Sequence, residues 1–126
     1  MQNASAIEHP AAIAQNYVEV WNETDGARRR SLIERVFAPQ ASYTDPLMQS
    51  AGYDALDAMI AAAQAQFAGL RFSVTGRQDA HHDVLRFSWA LGVEAAEPIA
   101  CGTDIAEMTP DGRIARVTGF LDKMPS

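Results

Sequence analysis

The sequence predicts an α+β domain: three helices from the N-terminal half packed on a curved, mostly antiparallel sheet. Apolar residues recur at helical spacing as far as Phe67, and from Leu70 onward the period falls to two. The last two alternating runs are joined by Thr109–Pro110–Asp111–Gly112, whose proline, acid and glycine stand in the order of a tight turn, so they form a hairpin. Helices and strands grouped in separate stretches, instead of alternating, indicate a sheet with its helices on one face, and such a curved sheet encloses a space.

The first helix places Ile13, Tyr17, Val20 and Trp21 on one face and Gln15, Asn16, Glu19 and Asn22 on the others, so Tyr17 points inward. The second restarts after Thr24, Asp25 and Gly26 and carries Leu32, Ile33, Val36 and Phe37 on one side. It stops before Pro39, because the residue preceding a proline is driven out of the helical region. Its Arg28, Arg29 and Arg30 are expected to form a solvated face, since three arginines in an acidic chain create a weak field. A short strand, Ser42 to Thr44, leads into Asp45–Pro46. The third helix, Asp54 to Phe67, turns Leu56, Met59, Ile60, Ala63 and Phe67 inward.

In the sheet, Leu70, Phe72, Val74 and Gly76 share one face of the first long strand. After a turn in which His81 and His82 read as solvated, Leu85, Phe87, Trp89 and Leu91 share one face of the second. The third runs from Ile99 to Met108 and the fourth from Arg113 to Leu121. On their helix-facing sides stand Ala100, Gly102, Asp104, Ala106 and Met108, opposite Ala115, Val117, Gly119 and Leu121. Small side chains there leave volume unfilled, and Asp104 is the carboxyl within it. The reverse assignment, with Thr103, Ile105 and Glu107 inside, stays open on alternation alone. Ile99, Ile105, Ile114 and Phe120 fall on the outer face, and that apolar surface predicts a two-fold homodimer.

A chain of 126 residues, 48% of them hydrophobic, suits one domain, 1–126. Its formal charge of −6 argues against nucleic acid and anionic membranes as partners. Cys101 is the sole cysteine, so a disulfide framework or a Cys-rich zinc site is excluded. No metal-ligand spacing, phosphate-binding glycine loop or nucleophile elbow is found, so neither metal nor cofactor is expected. No leader-like opening or long apolar run occurs, and a cytoplasmic location is the expectation. Asp45 has two readings: an acid before proline initiates a turn, and an acid at a strand end beside a pocket can act as a base.

Two stretches, IAQNYVEVWNETDGARRRSLIERVFAPQASYTDP and GTDIAEMTPDGRIARVTGFLD, resemble the opening and the closing hairpin of the ketosteroid isomerase and SnoaL-like polyketide cyclase superfamily. The resemblance runs from about Ile13 to Asp122 and implies the cone-shaped barrel named after nuclear transport factor 2. At matching positions it places the isomerase's oxyanion-hole tyrosine on Tyr17, its Asp-Pro general base on Asp45 and its second oxyanion-hole acid on Asp104. A carboxylic acid held neutral by an apolar site is a known device of that isomerase. The implied activity is cofactor-independent proton transfer next to a carbonyl, as isomerase or aldol-type cyclase, on a small apolar ligand lined by Trp21, Met59, Phe67, Phe87, Trp89 and Leu121. The superfamily's epoxide hydrolases carry acids where this chain offers Ser88, Ala90 and Gly119, so that activity is not expected. The alternative is a non-catalytic ligand-binding or dimerisation module, because this fold hosts both.

Overall fold

The computed structural model describes residues 7–125. Helices α1 (Pro10–Asn22), α2 (Gly26–Val36) and α3 (Tyr53–Gln66) pack on an open six-stranded sheet. Its strands are β1 (Phe37–Thr44), β2 (Gln49–Ala51), β3 (Arg71–His81), β4 (Val84–Gly92), β5 (Ala100–Met108) and β6 (Ile114–Lys123). The spatial order is β2-β1-β6-β5-β4-β3, antiparallel throughout except where β1 meets β6. This is the cone-like α+β arrangement expected.

Local chemistry sets the boundaries. Pro10 opens α1 with a pre-set φ, and the Asp25 carboxylate caps α2 by accepting from Arg28 N at 2.9 Å. Helix α2 runs directly into β1, which begins earlier than the expected Ser42. Pro39 is accommodated because it falls where the register with β6 shifts, between Phe37 and Ser42, so its missing N–H interrupts no paired position. The short β2 carries no alternation of its own and was not foreseen. Strand β3 continues through the expected turn: Gly76, at φ 66°, sits in a bulge between Thr75 and Asp79, and the hairpin narrows to His82 and Asp83.

Alternation along β5 settles which face is inward, since Ala100, Gly102, Asp104, Ala106 and Met108 are all buried. On β6 one expectation fails. Ile114, assigned to the outer face, is fully buried opposite Met108, while Arg116 pairs with Glu107; the extra residue, Ala115, is a bulge that resets the alternation. The outer face is correspondingly more polar. Thr103 Oγ1 lies 3.2 Å from Ser88 Oγ and donates to Asp122 at 2.8 Å, and Arg116 pairs with Glu107 at 3.6 Å. Exposed Phe120, flanked by half-buried Ile99 and Ile105, is what remains of the apolar surface.

The three-arginine face also needs correction. Arg28 is exposed and Arg30 pairs at the surface with Glu34 and Asp54, but Arg29 is buried. Its guanidinium donates to Asp57 at 2.6 Å, to Gln64 Oε1 at 2.9 Å and to the Glu23 carbonyl at 3.2 Å. Gln64 Nε2 in turn donates to the carbonyls of Trp21 and Glu23 at 2.9 and 2.7 Å. Carbonyls at a helix end lack intrahelical donors, so this network closes the C-terminus of α1 while bolting it to α2 and α3. A second clamp fixes α1 to the sheet edge: Asn22 exchanges two hydrogen bonds, 2.9 and 2.8 Å, with the backbone of Phe72 on β3. Among the described residues no helix is long and apolar enough to cross a membrane.

Arg29→Ala removes the donor to Asp57 Oδ1 and Gln64 Oε1 and one of the two donors to the Glu23 carbonyl, and is expected to destabilise the fold by about 3 kcal/mol. Arg28→Ala, one residue away and solvated, should stay within about 0.5 kcal/mol of wild type. Urea unfolding of the two variants checks the contrast; equal effects would return Arg29 to the surface.

Candidate active site

Between α1, the end of α3 and the concave face of the sheet lies a cavity with Tyr17, Trp21, Ala63, Phe67, Phe72 and Trp89 in its walls. Asp45 and Asp104 lie on one side, and Leu47, Met124 and Pro125 stand around it toward the surface. Its volume of about 80 Å³ is smaller than the roughly 150 Å³ space that admits benzene, so only a small ligand, or one projecting toward solvent, fits without movement. The aromatic wall is continuous. Tyr17 meets Trp21 at 6.2 Å, Trp21 meets Phe72 at 5.5 Å, and Phe72 meets Trp89 at 5.4 Å.

Asp45 follows the end of β1, and its carboxylate serves two structures at once. Oδ1 accepts from the backbone N–H groups of Leu47 and Met48 at 2.8 and 2.9 Å, which is the turn chemistry of an acid before proline. Oδ2 accepts from Tyr43 Oη at 2.6 Å. A carboxylate has about four acceptor positions, so one lone pair, on Oδ2, is left for the cavity.

Asp104 is 2% exposed and faces Gly119 across the β5–β6 ladder. Burial pushes its carboxyl up to about 6, the indole N–H of Trp89 and the phenol of Tyr17 oppose the shift, and the negative charge of Asp45 adds to it. The Trp89 N–H reaches Asp104 Oδ1 at 3.2 Å because the indole lies flat over Gly102, where any Cβ would come within 2.5 Å of the ring. Gly119 plays the matching part between the acids. A Cβ there would stand 2.8 Å from Asp104 Oδ1, 3.3 Å from Asp45 Cβ and 3.5 Å from Tyr43 Oη, so the missing side chain lets the three groups converge.

Two polar atoms in the wall have no hydrogen-bond partner among the described residues: Tyr17 Oη and Trp21 Nε1, both buried. Desolvation raises the Tyr17 phenol well above its ordinary value, and the nearby Asp104 charge raises it further. Tyr43 is raised by burial first, then by Asp104 and by its bond to Asp45. Both phenols therefore stay protonated donors.

The structure brings Tyr17, Asp45 and Asp104 to one cavity, with Trp21, Phe67, Trp89 and Leu121 in its walls. Met59 and Phe87 do not reach it. Met59 faces β2, where its sulfur accepts from Ser50 at 3.4 Å, and Phe87 is sealed behind Tyr17 in the core. Tyr43 was missed, although its position two residues before Asp45 on an extended strand puts both on one face. His81 and His82 are exposed at the β3–β4 turn. Among the described residues no group of three His, Cys, Asp or Glu side chains is placed to hold a metal ion.

Helices on one face of an open curved sheet, with an apolar cavity holding acids between them, define the nuclear transport factor 2-like class. Within it the chain belongs to the SnoaL-like family, whose domain matches residues 14–117. It is similar to a candidate isomerase of that family from Agrobacterium tumefaciens, with 44% identity over 88% of this chain and 95% of the other and a TM-score of 0.84. A candidate ketosteroid isomerase from Kribbella flavida shares 20% identity over 97% of this chain and 84% of its own, with a TM-score of 0.69. A candidate polyketide cyclase from Sinorhizobium meliloti shares 20% over 86% and 93%, with a TM-score of 0.66. These last two likenesses show the fold alone. No curated protein sequence matches the chain significantly.

The raised carboxyl fixes the sign of a stability test. A folded value near 6 against an ordinary 3.8 favours the protonated form on folding. That contribution is complete below the unfolded value and is lost as pH rises through about 6, a swing of about 3 kcal/mol. Asp104→Asn should therefore match wild type near pH 4 and exceed it at pH 8 by up to about 3 kcal/mol in denaturant unfolding. A difference that does not vary with pH would put the carboxyl in water. Gly119→Ala drives a methyl into Asp104 and should destabilise by about 1–3 kcal/mol, read as a lowered thermal midpoint.

Proposed function

We propose that the chain is a cofactor-independent enzyme that moves a proton on carbon next to a carbonyl, as an isomerase or an aldol-type cyclase, on a small apolar substrate. The observation that carries this reading is the convergence over Gly119 of Asp45 and the buried Asp104, with the unpartnered Tyr17 hydroxyl in the same apolar cavity. Two acids whose surroundings differ this much suit opposite roles in acid–base chemistry.

Asp45 Oδ2, held by Tyr43, takes the proton from the carbon adjoining the carbonyl. Negative charge then develops on the carbonyl oxygen, where Tyr17 donates from one side. Protonated Asp104 donates from the other; the Trp89 N–H occupies Oδ1 and leaves Oδ2 to carry the proton. Asp45, now the acid, returns the proton to a different carbon, and the charge collapses. The isomerase name of the Agrobacterium relative, at 44% identity, supports the same class of reaction. A second reading has its own observation: a carboxyl near 6 is also well matched to a base working at neutral pH, which would give that role to Asp104.

Cyclohexanone in deuterated water tests both readings, with exchange of its α-protons followed by NMR. Asp45→Asn should lower the exchange rate by about 10²–10⁴-fold, as loss of a general base does. The wild-type rate should fall as pH rises through about 6, because Asp104 then loses the proton it donates. A rate that rises through the same range transfers the base to Asp104, and exchange no faster than in buffer leaves a binding module.

A further inference from the structure

Tyr17 and Trp21 stand one turn apart on α1, on the same face, and their rings meet at 6.2 Å. Each is more than nine-tenths buried, and each carries a donor with no partner, Oη on one and Nε1–H on the other. An unmet donor in a dry interior loses its bonds to water and gains none in return, and two such donors stand at one cavity wall. Elsewhere the fold meets such demands fully: the indole of Trp89 finds Asp104, Tyr43 finds Asp45, and Tyr53 finds the Phe37 carbonyl. The groups are also neighbours: the Trp21 N–H lies toward the Tyr17 oxygen and the Tyr17 hydroxyl toward the Asp104 carboxyl, neither within hydrogen-bonding geometry.

The acceptor is therefore to be supplied from outside the chain. We infer that the indole N–H of Trp21 is a further hydrogen-bond donor to the ligand's oxygen, acting beside Tyr17 and Asp104, and that the cavity takes neutral carbonyl compounds in preference to carboxylates. Charge decides the second half. A carboxylate would satisfy both donors, but it would stand in the same cavity as Asp45 and Asp104, with no cationic side chain among the described residues of the walls to offset them. A ketone or ester oxygen accepts from these donors and brings no charge. This inference rests on the cavity used by the proposed reaction, but not on turnover.

Three probes of one size test it: cyclohexanone, methylenecyclohexane, in which CH₂ replaces the oxygen, and cyclohexanecarboxylate. The chain has two tryptophans, so Trp21→Phe leaves one indole N–H resonance and identifies the other. Cyclohexanone should move the Trp21 N–H resonance downfield, and methylenecyclohexane should not. Trp21→Phe, which keeps an aromatic ring but removes the N–H, should weaken cyclohexanone about tenfold more than methylenecyclohexane. The carboxylate should bind more weakly than the ketone at pH 8. The inference is overturned if both neutral probes shift the resonance alike, if the variant weakens both by one factor, if the carboxylate binds as well as the ketone, or if cyclohexanone does not bind at millimolar concentration. Failure of deuterium exchange with these binding results intact would remove the proposed reaction and leave the donor pair standing.

Discussion

Burying one carboxyl without a cation is the constraint around which the cavity is built. Asp104 sits on the concave face of β5 between Gly102 and Ala106, and desolvation opposes its charge at every pH above its folded value. Two glycines make the position tolerable. Gly102 seats the Trp89 indole so that its N–H meets Oδ1, and Gly119 leaves the strand opposite bare so that the carboxyl has somewhere to lie. Replacing either glycine would close the space from below, which is why small residues cluster on this face when packing alone would favour large ones.

A cavity contributes no packing, so the elements around it need holding from elsewhere. The helices are joined by Arg29 and Gln64, which gather the carbonyls at the end of α1 and the Asp57 carboxylate. Asn22 then locks the same helix to β3. Because α1 also carries Tyr17 and Trp21, these polar clamps set the height of both donors above the sheet. The aromatic contacts do the finer positioning, with Phe87 behind Tyr17 and Tyr43 and Phe72 against Trp21.

Periodicity left the inward face of β5 open but revealed the helices and the antiparallel meander, since each of these follows from which side of an element is apolar. It failed where a backbone irregularity breaks the period. Ala115 bulges and turns Ile114 inward, Gly76 bulges and lengthens β3, and β2 is too short to show any alternation. Arg29 illustrates a different limit. Its burial depends on Asp57 and Gln64, 28 and 35 residues away, and no local pattern distinguishes it from Arg28. At the site, Tyr17, Asp45 and Asp104 could be assigned to one cavity from chemistry and resemblance. Tyr43 was hidden because a tyrosine on a strand reads as packing until its hydroxyl is seen 2.6 Å from an acid.

At Asp45 turn chemistry and the proposed acid–base role are not rival explanations of one residue. The two amides on Oδ1 fix the carboxylate in direction, and a base for carbon needs that fixity, since the proton it removes is offered along one line. The Tyr43 bond to Oδ2 holds the second oxygen at the cavity wall while leaving it a lone pair. An aspartate before proline thus reaches by local geometry the preorganisation that a longer, freely rotating side chain would need additional partners to achieve. The fold is shared with proteins at 20% identity and lower, and it does not by itself imply a reaction. What favours chemistry here is that the turn, the bare strand at Gly119 and the unpartnered donors on α1 are separate local features meeting at one point, and packing alone accounts for none of their coincidence.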